Sequence, residues 1–201
     1  MSIALVGSTS QNPSHTFSAN GTYTVQLTAT NAQGSDSATH TVTVSDAPPP
    51  PTTVPLDADA YFNTSSPTKN YATATVLKLH SPTTAEYRPI VKFTLSGFSG
   101  APSSVKIRLF VTDASVDCGS WYKVDNGWTE TGVNWNNKPV VGSSPAATVG
   151  ACVTGTFVDV DVTSAITGNG TYSFEATSGS TNTAEFSSRE GTNAPQVVIV
   201  P

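Results

Sequence analysis

Hydrophobic and polar residues alternate along this chain. In GTYTVQLTATNAQGSDSATHTVTVSD (21–46), Tyr23, Val25, Leu27 and Ala29 interleave with Thr24, Gln26, Thr28 and Thr30. A period of two sends successive side chains to opposite faces, so the stretch predicts a half-buried strand. NAQG turns the chain, and Thr39 to Val44 returns with His40, Val42 and Val44 on one face. Two strands alone cannot hold together in water, so this hairpin needs more strands from somewhere.

Past residue 57, short extended segments recur at 58–63, 74–80, 87–95, 104–112, 120–124, 133–136, 156–163, 171–177, 184–188 and 195–200. Clusters of Gly, Pro, Asn and Ser separate them. DVTSAITGNG (161–170) carries the one helical signal, a turn predicted over 163–168. Regular short strands without a helical period predict an all-β fold, a β-sandwich of the jelly-roll kind. DAPPPPTTVPLD (46–57) reads as a stiff polyproline spacer. The expected organisation is a small unit over 1–45, a linker over 46–57 and a sandwich over 58–201.

Composition sharpens this picture in one respect. The net charge is −5, which argues against a nucleic-acid partner. Yet all nine Lys and Arg lie at or after Lys69, and the first 45 residues carry one charge, Asp36. No stretch is long enough to span a membrane. MSIALVG is too short and lacks a basic start for an export signal, so any such address would lie outside this chain. Cys118 and Cys152 would pair in an exported protein and stay thiols in a cytosolic one.

Two segments resemble known families. NPSHTFSANGTYTVQLTATNAQGSDSATHTVTV is similar to the second half of a PKD (polycystic kidney disease) domain, an immunoglobulin-like sandwich. The first half is not represented. The unit is then a truncation, or the apolar IALV near the start substitutes locally, or another molecule donates a strand to an unpaired edge. From ADAYFNTSSPTKNYATATVLKLH through YRPIVKFTLSGF, VKIRLFVTD, WTETGVNWNNKP and VDVTSAITGNGTYSFEATS to FSSREGTNAPQVVIV, residues 58–200 resemble the DNRLRE domain, also classed as carbohydrate-binding module family 96. That resemblance implies an extracellular or cell-surface sandwich appended to a larger bacterial or archaeal enzyme or adhesin. Its partner would be a polysaccharide, in some members an anionic one such as alginate.

Alternation adds a second expectation. On 74–80, 87–95 and 104–112 the apolar residues have one parity, and Lys78, His80, Arg88, Lys92, Lys106 and Arg108 have the other. If these strands share a sheet, five of the nine cations gather on its outer face and invite an acidic ligand. Lys78, Arg88, Lys92, Arg108 and Arg189 are the candidate charge contacts. Arg189 could also serve structure, reaching back to a carboxylate or loop carbonyls to pin the last hairpin. Nearby acids could equally neutralise the others.

Sugar rings stack on exposed aromatic faces. The candidates are Tyr61, Tyr71, Tyr87, Trp121, Tyr122, Trp128 and Trp135. Tyr71, near Lys69, and Tyr87, beside Arg88, are the preferred contacts, whereas Trp128 and Trp135 suit packing. Cys118 and Cys152 flank the Trp-rich segment, and an extracellular setting favours a disulfide between them. Two lone thiols do not make a zinc site. No cofactor is called for, although Asp57, Asp59 and Asn63 could supply oxygens to a structural calcium ion. No catalytic pattern such as GxSxG or HExxH occurs, so the chain reads as no enzyme. A spacer or self-assembling filament subunit, completed by a strand from a neighbouring copy, is the alternative role.

Overall fold

A computed structural model describes residues 8, 10, 14–45, 50–81 and 85–201. The chain forms two compact units, Met1–Pro48 and Pro49–Pro201. The apolar IALV stretch and residues 46–49 of the spacer lie outside the described residues.

In the first unit, β1 (Gly21–Asn31) and β2 (Gly34–Val44) form an antiparallel hairpin. Asn31 Oδ1 accepts the N–H of Gln33, and Gly34 takes φ 145°, a value that favours glycine, to close the turn. Tyr23 lies opposite Val42, and Val25 opposite His40, as alternation requires. Tyr23 packs against Phe17 with ring centroids 4.4 Å apart and donates its hydroxyl to Ala19 O. Farther along the same face Leu27 is 73% exposed, so the apolar row runs out of cover toward the turn.

The second unit is a sandwich of two antiparallel sheets. One runs in the order β3 (Thr52–Pro55), β13 (Gln196–Val200), β7 (Ser104–Asp113), β12 (Ala184–Ser187), β5 (Val76–Leu79), with β10 (Phe157–Asp161) also paired to β7. The other runs β4 (Ala58–Asn63), β6 (Tyr87–Leu95), β11 (Gly170–Thr177), β8 (Gly119–Val124), β9 (Ala147–Val149). Between them Leu77, Leu79, Val91, Phe93, Ile107, Leu109, Trp121, Phe174, Phe186 and Ile199 form one buried core. Burial of such side chains contributes roughly 1.5–3 kcal/mol each.

Three expectations change here. Thr52–Pro55, inside the stretch read as spacer, is a strand on β13; Pro55 is tolerated because β3 is an edge. Residues 133–136 form no strand: Val133 is buried and Trp135 packs over Phe62, while Asn134 and Asn137 side chains bind loop backbone instead of a ladder. Ala147–Val149 is a short edge strand that the pattern did not single out. The predicted helical turn is a 3-10 turn over Thr163–Ala165.

Cys118 and Cys152 are joined in a disulfide, with their Cα atoms 6.0 Å apart. It ties the start of β8 to the segment before β10, closing a loop with a sequence separation of 34. In the chain-entropy view a loop of that size contributes about 3–4 kcal/mol. Replacing both cysteines by serine is therefore expected to lower unfolding free energy by about that amount, read from denaturant midpoints of the two proteins.

Candidate functional site

The expected shared basic face does not form. β5 and β7 belong to one sheet and β6 to the other, so Lys78 and Arg108 are separated from Arg88 and Lys92. Here β5, β6 and β7 alternate between the two sheets, and parity within a strand cannot say which sheet it joins. Each of these cations also has a partner. Lys78 Nζ meets Glu185 Oε1 at 2.6 Å. Arg108 grips both oxygens of Asp159, at 2.8 and 3.0 Å, and this fork holds the Asp159 carboxyl below the usual carboxylate range.

On the outer face of the five-stranded sheet, Arg88 and Lys92 brace a loop. Residues 125–141 fold over Ala58, Ala60, Phe62 and Ile90, burying Trp128 and Val133 in a second apolar cluster. Lys92 Nζ lies 4.3 Å from the Trp128 ring centroid and donates to the carbonyls of Asn126 and Trp128. Arg88 stands over Trp135 and binds Glu86 at 2.6 Å and Glu175 at 3.1 Å. Trp121, a stacking candidate in the sequence, is fully buried in the main core and has no ring face to offer.

What the structure does bring together lies along one edge. β4 and β5 are edge strands of opposite sheets and touch. In β4, Ala58, Ala60 and Phe62 pack under the Trp loop, so Asp59, Tyr61 and Asn63 take the other face. Tyr61 stacks on Tyr71 at 4.3 Å and lies 6.1 Å from Tyr87. Burial, with the neighbouring Tyr71, Tyr87 and Glu185, pushes the Tyr61 phenol up to about 12. Asn63 Nδ2 donates to Tyr71 Oη at 2.7 Å and fixes that ring. Lys69 Nζ lies 4.7 Å from the Tyr71 centroid, and His80 meets Tyr87 edge to face. Tyr71 and Tyr87 are half-buried and Lys69 is exposed, so the group faces solvent with part of its rings.

At the other end of the row, Arg189 reaches back to a carboxylate. Its Nη1 is 2.6 Å from Glu130 Oε1, which also accepts the Asp59 N–H, while the Arg189 N–H binds Asp59 Oδ2. Asn70 Nδ2 holds the Glu130 turn by its carbonyls, donating to Glu130 O and Val133 O. Of the three residues read as calcium oxygens, Asp57 accepts the Thr94 hydroxyl and Asn63 is committed to Tyr71 and Ser66; Asp59 alone joins other acids. Burial pushes the Asp59 carboxyl up to about 7, opposed by the Arg189 N–H and reinforced by Glu190 and Glu130. Glu130 and Glu185 were missed from sequence. The period-two row Asp59–Tyr61–Asn63 is a sequence signal that could have located their edge.

The profile of carbohydrate-binding module family 96 matches residues 50–201, and the PKD domain profile matches residues 6–45. The chain belongs to carbohydrate-binding module family 96. A search of curated proteins finds no significant match. The match begins at residue 50, and β3 opens the sandwich two residues later. Families of this kind bind carbohydrate, and their members are binding modules in character. No helix among the described residues is long and apolar enough to cross a membrane, and the disulfide, the PKD unit and the module are features typical of extracellular proteins.

Two buried carboxyls give the module a pH signature. Glu175 is wholly buried, shares Arg88 with Glu86, and has one oxygen without a hydrogen-bond partner; burial pushes it up to about 7. Asp59 shifts the same way. A carboxyl raised on folding contributes stability at low pH and loses it as pH rises through the folded value. Stability is expected to fall between about pH 5 and pH 8, by at most about 3 kcal/mol for Glu175. Glu175→Gln keeps an acceptor for Arg88 and should flatten that slope, measured by denaturant midpoints at both pH values in chelator. An unchanged slope in the variant would assign the pH dependence elsewhere.

Proposed function

We propose that this family-96 module binds an acidic, uronate-containing polysaccharide such as alginate along the β4–β5 edge, without catalysing a reaction, outside the cell. The observation that carries this reading is the tyrosine group Tyr61–Tyr71–Tyr87 with Lys69 poised over Tyr71. Sugar rings present an apolar face that packs on an aromatic ring, and a uronate carries its charge at ring level, where a neighbouring ammonium meets it. Tyr71 and Tyr87 would supply the ring contacts. Lys69 would supply positive charge, and Lys78 and Arg189, whose charge Glu185 and Glu130 already offset, would add donors from side chains about a third exposed. Arg88 and Lys92 lie against the tryptophans of the 125–141 loop, and Arg108 is on the central strand β7, so all three stay outside this contact surface. The task would be to keep a larger enzyme or adhesin close to its polymer.

Alginate or pectate cast into a native gel tests the reading. Retardation at low salt is expected, weakening as salt screens the charges. Tyr71→Ala and Tyr87→Ala should each weaken binding by about tenfold, equivalent to about 1.4 kcal/mol. No retardation of the native chain at low salt, with or without calcium, would count decisively against it.

The exposed apolar row of the first unit favours a second role. Leu27 is 73% exposed and β1–β2 pair with no third strand among the described residues. A strand from a neighbouring copy would cover that row and turn the module into a spacer or filament subunit. Mass in solution decides this, since strand donation predicts polymers that Leu27→Lys disperses, whereas a monomer at all concentrations excludes it.

A further inference from the structure

We propose that Asp59, Glu130 and Glu190 form a site for a divalent cation, calcium by its ligand chemistry. The three acids come from β4, the Trp loop and the turn after β12, segments far apart in sequence, yet a carboxylate oxygen from each lies within 4.8 Å of the others. Arg189 is the cation in their midst, so the group carries two uncompensated negative charges when all are ionised.

An acidic cluster alone is common on protein surfaces. This one contains a buried member that lacks a partner. Asp59 is 1% exposed, and its Oδ1 has no hydrogen-bond partner although Oδ2 takes the Arg189 N–H. A buried carboxylate oxygen left bare is costly, and natural structures leave few of them. Arg189 does not relieve it, because its guanidinium is turned to Glu130 and only its backbone N–H reaches Asp59. A cation beside Asp59 would satisfy that oxygen and cancel the repulsion at once.

The ligand set narrows the ion. All donors are carboxylate oxygens, the hard ligands that calcium and magnesium take. Calcium accepts irregular coordination whereas magnesium demands a near-ideal octahedron, so three acids brought from separate segments suit the larger ion. Glu190 is exposed, so water can complete calcium's six to eight ligands from that side.

The test uses the whole chain, stripped with chelator and titrated with calcium chloride alone, read by calorimetry and by melting temperature. One saturable site that raises the melting temperature is expected, with magnesium weaker. Glu190→Gln alters an exposed side chain and leaves folding intact; it should weaken binding about tenfold, and Asp59→Asn should abolish it. Terbium luminescence, sensitised by nearby tyrosines, gives an independent readout in the same variants. No heat and no melting shift up to about 10 mM calcium would overturn the proposal, as would full binding by both variants. Because no sugar enters the assay, its outcome is independent of the polysaccharide reading.

Discussion

β4 is an edge strand buried on both faces, and that constraint organises much of this module. All six residues from Ala58 to Asn63 are buried. An edge strand ordinarily has one wet face and a bare row of backbone groups. Here the outer face is apolar and needs a lid, which the 125–141 loop supplies with Trp128, Val133 and Trp135. The lid must be anchored, so Lys92 and Arg88 turn inward to hold its carbonyls and rings. The lid also carries Glu130 round the edge, where its carboxylate caps the Asp59 N–H. Cations that sequence placed on an open surface are thereby drawn into structure.

That explains where sequence reading succeeded and where it ran out. Alternation located the strands because one face of each meets the common core: Val91, Phe93 and Leu95 on β6, and Val105, Ile107, Leu109 and Val111 on β7, all point inward. Parity therefore said correctly that Lys92 and Arg108 point away from that core. It could not say that their outward faces lie on opposite sides of the sandwich, because strand order is set by long-range pairing such as β12 with β5. Nor could it see Glu185 opposite Lys78, or Asp159 opposite Arg108, since each pair joins residues distant in sequence. Val133 and Trp135 have strand-like spacing but lie in a lid, where burial without a ladder gives the same pattern. Family resemblance placed the fold and the sugar-binding character; the edge that gathers Tyr61, Tyr71 and Tyr87 emerged only from tertiary structure.

The two ends of the β4 row differ in what they can offer a ligand. Around Tyr61 the side chains are aromatic, with rings held at fixed angles by Asn63 and by one another. Rings held in this way lose little freedom on binding, which is the benefit of a preformed contact surface. Around Asp59 the side chains are acidic, and an anionic polymer extending that way would meet Glu130 and Glu190.

Those two tendencies conflict unless the acidic end is neutralised. Lys78 cannot do so, because Glu185 already holds it, and Arg189 offsets only one of three carboxylates. A divalent ion would remove the remaining charge and present a positive centre to a uronate at the same edge. The proposed cation site and the proposed sugar surface are thus separate in their residues yet linked in their electrostatics: the ion would decide how far along β4 an acidic chain can lie.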